Sequence, residues 1–305
     1  MEEAREKATG KIVDAWGLKF LEKVDESGYE CHGCDIPLIP CSYGPENLVR
    51  PYFKHKREKR HEVWCDVDGQ EELGKIARKK RVTTRDGYPG SFPNRLKLAD
   101  SHHVAGELVG LPTKFSSECE RASSNSINVD RVKKTRPWTA TAIRRICHTF
   151  LDNPYDRDLP LFTDYTTGKT YREVFKSLYV NKDQRIRKLG QHIFYAPLSW
   201  KTLDNDNESY LEVILTYGEW ENNKLVRPYR VIIDWDKWSN GRRRAVSSEF
   251  EIARKEYQEL HDAGHNKKAW VFFIGRQDED DPAIFHVDDH RLICCLVAEM
   301  IYPKQ

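Results

Sequence analysis

Apolar and polar positions alternate in two different textures along this chain of 305 residues. Between Ala4 and Glu26, the residues Ile12, Ala15, Trp16, Phe20 and Val24 recur at helical spacing, with Lys19 and Lys23 on the other side. That pattern predicts an amphipathic helix. The stretch from Tyr29 to Trp64 is turn-rich and lacks long apolar periods, as expected of a small unit held by something other than a large core. Glu71 to Arg81 reads as a helix that becomes basic at its end through Lys75, Arg78, Lys79, Lys80 and Arg81. Residues 82–135 are irregular: Asp86-Gly87-Tyr88-Pro89-Gly90-Ser91-Phe92-Pro93 is dense in turn formers, and Ser116 to Asn128 reads as a loop or linker. Thr139 to Leu151 returns to helical spacing, with Ile143, Ile146, Cys147 and Phe150 on one face.

The second texture is β-branched and aromatic. His192 to Tyr195, Tyr210 to Tyr217, Tyr229 to Asp234 and Ala269 to Ile274 predict strands, and a charged helix is expected from Ser247 to Ala263. Gly218 to Pro228 reads as a loop centred on Asn222-Asn223, while Arg291 to Met300 is left open. The order predicts an α+β fold with a mostly antiparallel sheet, either a barrel or open. Three parts are expected: a helix plus metal module over 1–70, a basic, loop-rich linking region over 71–150, and an α+β domain over 151–305.

Composition narrows the class. Hydrophobic residues make up 39% and charged residues 32%, and no apolar run approaches the roughly 18–20 residues that span a bilayer. The acidic start, Met1-Glu2-Glu3-Ala4-Arg5, lacks the apolar core of a signal peptide, so a cytoplasmic protein without membrane partners is expected. Its eight cysteines are then read outside a disulfide framework. Cys294-Cys295, inside an apolar run, reads as two small buried hydrophobes. The net charge of +2 conceals an asymmetry: from Arg50 to Phe150 there are 22 Lys and Arg against 12 Asp and Glu. A basic stretch of this kind suits a polyanion or a solvated face.

Cys31-His32-Gly33-Cys34 has the spacing of a metal knuckle, in which Gly33 permits the tight turn. The distal candidates are His55, His61 and Cys65. Cys31, Cys34, His55 and Cys65 supply the four soft or borderline donors of one structural zinc ion, with His61 as an alternative to either distal member. A redox reading of the pair needs a preceding strand and a βαβ setting, which the flanking residues do not provide.

The run Tyr29-Glu30-Cys31-His32-Gly33-Cys34, then Pro37-Leu38-Ile39-Pro40, Arg50-Pro51-Tyr52-Phe53-Lys54-His55 and Cys65 resembles the N-terminal metal-binding element of the competence protein CoiA-like family. The likeness covers residues 29–65 only. It implies a link to the handling of incoming DNA, and in many members a restriction-type nuclease core follows. That core needs an Asp on one strand and a Glu-x-Lys on the next. Here Glu212 and Asp234 fall on predicted strands, but neither has a Lys two positions on, so the catalytic residues are unknown.

Other clusters have simpler readings. His102-His103 with Asp100 and Glu107 reads as surface or packing residues more readily than as a metal site. His261 to Lys268 marks a helix end with Gly264 just past it. Asp278 to Asp281 lacks calcium-loop spacing, and Gly168-Lys169-Thr170 lacks the upstream glycine of a phosphate loop. Trp235 and Trp238 beside Arg242, Arg243 and Arg244 are either packing residues or a base-stacking patch. The leading expectation is a zinc-containing nucleic-acid-binding protein, linked to mobile-DNA handling or defence against foreign DNA. Lys54, Lys56, Arg57, Lys59, Arg60, Lys79, Lys80 and Arg81 would contact phosphates. The alternatives are a metal-dependent nuclease using Asp234 and Glu212, and an adaptor subunit of a larger protein complex.

Overall fold

A computed structural model of the chain describes residues 1–56, 61, 65–98, 138–181, 184–201, 207 and 209–303. The N-terminal stretch is not the expected helix. Strand β1 (Glu3–Glu6) turns back into β2 (Ile12–Asp14), and only then does a 3-10 helix form, over Ala15–Phe20. The reason lies at Gly10, which takes φ +67 and donates to the Glu6 carbonyl at 2.8 Å. A left-handed residue ends a right-handed helix, and glycine adopts it at no steric cost. Asp14 caps the 3-10 helix by accepting from the Trp16 amide at 2.7 Å.

Strands β3 (Tyr29–Glu30), β4 (Pro37–Cys41) and β5 (Tyr52–His55) complete an antiparallel sheet in the order β2-β1-β3-β4-β5. Met1 exchanges two backbone hydrogen bonds with Phe53, so the start of the chain lies against the last strand. The core of this unit is small: Ala4, Leu18, Tyr29, Leu38 and Phe53, together with Cys31, Cys34 and Cys65. Helix α1 (Asp66–Ala77) starts directly after Cys65 and ends four residues earlier than the pattern suggests.

The remainder gathers around one larger core. It contains β6 (Pro93–Leu96), β7 (Trp138–Ala140), α2 (Ile143–Asp152), β8 (Phe162–Thr163), α3 (Tyr171–Val174), β9 (Phe175–Ser177) and β10 (Ile193–Pro197). It continues through β11 (Tyr210–Glu221), β12 (Lys224–Asp234), α4 (Asn240–Asp262), β13 (Lys268–Phe273), β14 (Arg276–Gln277), β15 (Ile284–Val287) and β16 (Ile293–Ala298). The sheets run β16-β13-β10-β9, β11-β12-β15-β14 and β7-β6-β8. Antiparallel pairs prevail, with parallel exceptions at β9–β10, β12–β15 and around β6, so the fold is mixed α+β.

The first two of these sheets are joined twice. Leu198, just past β10, bridges Leu215 of β11, and β14 follows β13 directly while pairing with β15. Phe194, Phe273 and Phe285 meet at these joints with ring centroids 4.8–5.7 Å apart. Helices α2 and α4 pack on β13 and β16. The core passes through residue 150 without a break, since Tyr88, Phe92, Leu96, Ile146 and Phe150 share it with the later strands. Phe150 stacks on Phe175 with centroids 3.9 Å apart.

The loop read between Tyr217 and Tyr229 is a hairpin instead. Asn222 and Asn223 both take positive φ, 49° and 61°, and Glu221 pairs with Lys224. Asparagine tolerates the left-handed region that a two-residue hairpin turn demands, so the strands run on to the turn. Gly218 sits where the strands irregularly re-register, and its backbone passes so close to β12 that a Cβ there would lie 2.1 Å from the Arg227 carbonyl oxygen.

Candidate metal centre

The knuckle is built from backbone geometry upward. Cys31 leaves β3, its amide donates to the Ile36 carbonyl at 2.8 Å, and its carbonyl accepts from Asp35 at 2.9 Å. Asp35 takes φ 60° to close the turn. The Gly33 amide points at the Cys31 sulfur, 3.4 Å away, which suits a sulfur carrying negative charge. Cys65, 34 residues on, occupies the cap position of α1 and presents its Sγ 3.6 Å from that of Cys31.

His61 completes the group. Its Nδ1 lies 3.3 Å from the sulfur of Cys34 and 3.3 Å from that of Cys65. The four donor atoms of Cys31, Cys34, His61 and Cys65 all fall within 4.8 Å of one another. Around a tetrahedral ion with metal–sulfur bonds of about 2.3 Å, sulfurs stand about 3.8 Å apart and sulfur and nitrogen slightly closer. The Cys31–Cys65, Cys34–His61 and Cys65–His61 separations lie close to those edges, so the residues present fit a metal ion. All three thiols are buried, and burial pushes the Cys31 thiol up to about 12, against the opposing pull of the Gly33 and Cys34 amides. Thiolates persist in such a place when a cation sits among them.

His55 is not part of this group. It stands exposed at the end of β5, its Nδ1 3.0 Å from the Lys56 carbonyl oxygen and its ring edge-on to His61 with centroids 5.8 Å apart. At the end of β5 its side chain is exposed, whereas it is His61 that sets its Nδ1 against the sulfurs of Cys34 and Cys65. The signal available in the sequence was the spacing of His61 and Cys65, four residues apart immediately before a helix.

Of the basic residues, Lys54 and Lys56 are exposed beside the centre, and Lys79 and Lys80 are exposed after α1. Arg81 is also exposed but binds Asp158 at 2.5 Å and faces Asp156 at 3.7 Å. Arg57, Lys59 and Arg60 lie outside the described residues, as do Asp100, His102, His103 and Glu107.

Glu212 and Asp234 share one face of the β11–β12 pair, since Glu212 is opposite Ile232 and Asp234 opposite Tyr210. Each has a partner: Glu212 is 3.3 Å from Arg230, and Asp234 is 3.1 Å from Nδ1 of His286, whose Nε2 faces Asp278 at 3.3 Å. Among the described residues the Cys31 group is the one cluster of three or more His, Cys, Asp or Glu donors close enough to hold an ion. Trp235 and Trp238 are packing residues, buried and donating through their indole nitrogens to the Asn207 and Asp288 carbonyls. Gly264 takes φ 79° and, with His265, returns amide bonds to His261 and Leu260, ending α4 as the sequence suggests.

Set against models of known protein families, curated proteins and solved structures, the chain matches none. No described helix is long and apolar enough to cross a membrane.

One relationship had no sequence signal. Arg144 of α2 and Glu249 of α4 form a buried ion pair, the guanidinium lies over the Trp16 ring with its centre 4.8 Å from the centroid, and Glu249 also accepts from the Cys295 amide at 2.5 Å. Nearby, Arg145 reaches Glu3 at 2.7 Å and His148 reaches Glu2 at 3.3 Å. The metal-bearing unit is thus fastened to α2 by these pairs, and to α4 by Arg50, which holds Glu256 at 2.6 Å. Burial pushes the Glu3 carboxyl up to about 7, outweighing the opposing pull of Arg145.

Proposed function

We propose that this is a zinc-containing protein that binds nucleic acid, with the ion serving as a structural staple of the N-terminal unit. The observation that supports it is the closed Cys₃His donor set inside a unit whose apolar core is too small to hold it alone. Zinc is the ion that this donor set and tetrahedral spacing suit, and four protein donors leave no open position for chemistry. Lys54 and Lys56 flank the centre, and Lys79 and Lys80 follow the helix that Cys65 starts. Exposed lysines in this arrangement suit phosphate contacts that position a strand without reading its sequence. The likeness of residues 29–65 to the CoiA-like metal element supports a role in mobile-DNA handling or defence against foreign DNA.

The test is binding of the full chain to short DNA and RNA over a salt series. Affinity should fall steeply with salt. Lys54→Ala with Lys56→Ala, and separately Lys79→Ala with Lys80→Ala, should each lower the slope of log affinity against log salt by roughly one per lost contact. A wild-type protein that carries its zinc but binds neither nucleic acid would overturn the nucleic-acid reading and favour an adaptor.

A further inference from the structure

An exposed group of rings lies on α4, away from the metal centre. Trp200, which follows β10, is 47% exposed, whereas Trp16, Trp235, Trp238 and Trp270 are all buried. Its indole stacks on Tyr257 with centroids 4.4 Å apart and planes 27° from parallel. His261, one helical turn further along α4, meets Trp200 edge-on at 5.8 Å and Tyr257 at 6.0 Å. The backbone under the indole is held on both sides: the Ser199 amide donates to the Ile214 carbonyl at 2.9 Å, and Arg254 donates to the Lys201 carbonyl. The rings are therefore positioned without being covered.

The surroundings distinguish between occupants. No large apolar side chain of α4 is exposed, so the rings stand without an apolar groove around them. Lys201, the residue after Trp200, is exposed, and Arg254, one helical turn before Tyr257, reaches the Lys201 carbonyl. Of the acids on this stretch, Glu256 is held by Arg50 at 2.6 Å and Asp262 faces His261 at 3.6 Å, while Glu259 is exposed. Ring faces flanked by cations are what unpaired nucleotides recognise: the base stacks and the phosphates meet the cations. Bases within a duplex are already stacked on one another and offer no free face.

We infer that Trp200, Tyr257 and His261 form a base-stacking platform for a single-stranded nucleic acid, with Lys201 and Arg254 placed for its phosphates. This rests on the nucleic-acid reading above and assigns it strandedness and a place. The experiment is a tryptophan-fluorescence titration of the full chain with short oligo(dT), oligo(U) and a duplex of equal length. Single strands quench the emission and the duplex does not. Trp200→Ala weakens single-strand affinity by about tenfold and leaves duplex affinity unchanged, whereas Trp200→Phe retains most of it. Quenching by either strand supports the platform, and the tighter one identifies the sugar. Single-strand affinity that is unchanged in Trp200→Ala, with no quenching in wild type, overturns the platform while leaving the nucleic-acid reading standing. Failure of wild type to bind any of the three overturns both.

Discussion

The sulfurs of Cys31 and Cys65 lie 3.6 Å apart although 34 residues separate them in the chain. No disulfide joins them, and the His61 nitrogen and the Cys34 sulfur complete a four-cornered site.

The first prediction concerns that site. Purified protein should carry one zinc per chain by elemental analysis, and Cys34→Ser should lose it. His61→Ala should weaken retention against a chelator by tenfold or more, whereas His55→Ala should leave it unchanged. The reverse result for the two histidines would place the fourth donor on β5.

A second prediction addresses the buried pair between Arg144 and Glu249. Removing one partner strands the other charge, so Glu249→Ala should cost about 3–5 kcal/mol in urea denaturation. The double change Arg144→Met with Glu249→Met should cost much less, because no unpaired charge is left behind. Equal losses in the two proteins would show that packing around Trp16, and not charge, carries the contact.

His290 supplies a pH dependence. Its ring sits between Phe20, with centroids 4.5 Å apart, and Trp238, at 5.7 Å, and burial pushes its pKa down to about 4. Asp289 pulls the other way, while Arg242 and Arg291 add to the depression. A base with a depressed folded pKa contributes stability above its unfolded value of about 6.5 and loses it as pH falls toward 4. Stability should therefore decline by up to roughly 3 kcal/mol across that window, and His290→Phe should flatten this component.

Gly218→Ala is the fourth. The added carbon would meet the Arg227 carbonyl oxygen at 2.1 Å, a backbone atom that cannot swing aside. The β11–β12 hairpin should shift or open, lowering stability by about 1–3 kcal/mol. Gly241, in the first turn of α4 with open space around the same position, provides the control: Gly241→Ala should be neutral or slightly stabilising.

Local pattern carried much of the second half of the chain. Strands β10 to β13 announced themselves through β-branched and aromatic runs, and α2 and α4 through their period and the glycine after α4. These elements form where neighbouring residues alone favour them. The N-terminal stretch misled because helical spacing of Ala15, Trp16 and Phe20 was extended back across Gly10, whose left-handed turn makes a hairpin instead. Cys31, Cys34 and Cys65 were legible by type and spacing, since a CxxC pair and a third thiol further on are the soft donors that a tetrahedral ion takes. The choice of His61 over His55 was not, because both lie within reach along the chain and only the folded positions of the two rings, one exposed at the end of β5 and the other at the sulfurs, separate them. Contacts such as Arg144 with Glu249, and Trp200 with Tyr257, join residues that sequence distance makes independent. Tertiary packing alone decided them, because a buried charge or an exposed ring acquires meaning only from what the fold sets beside it.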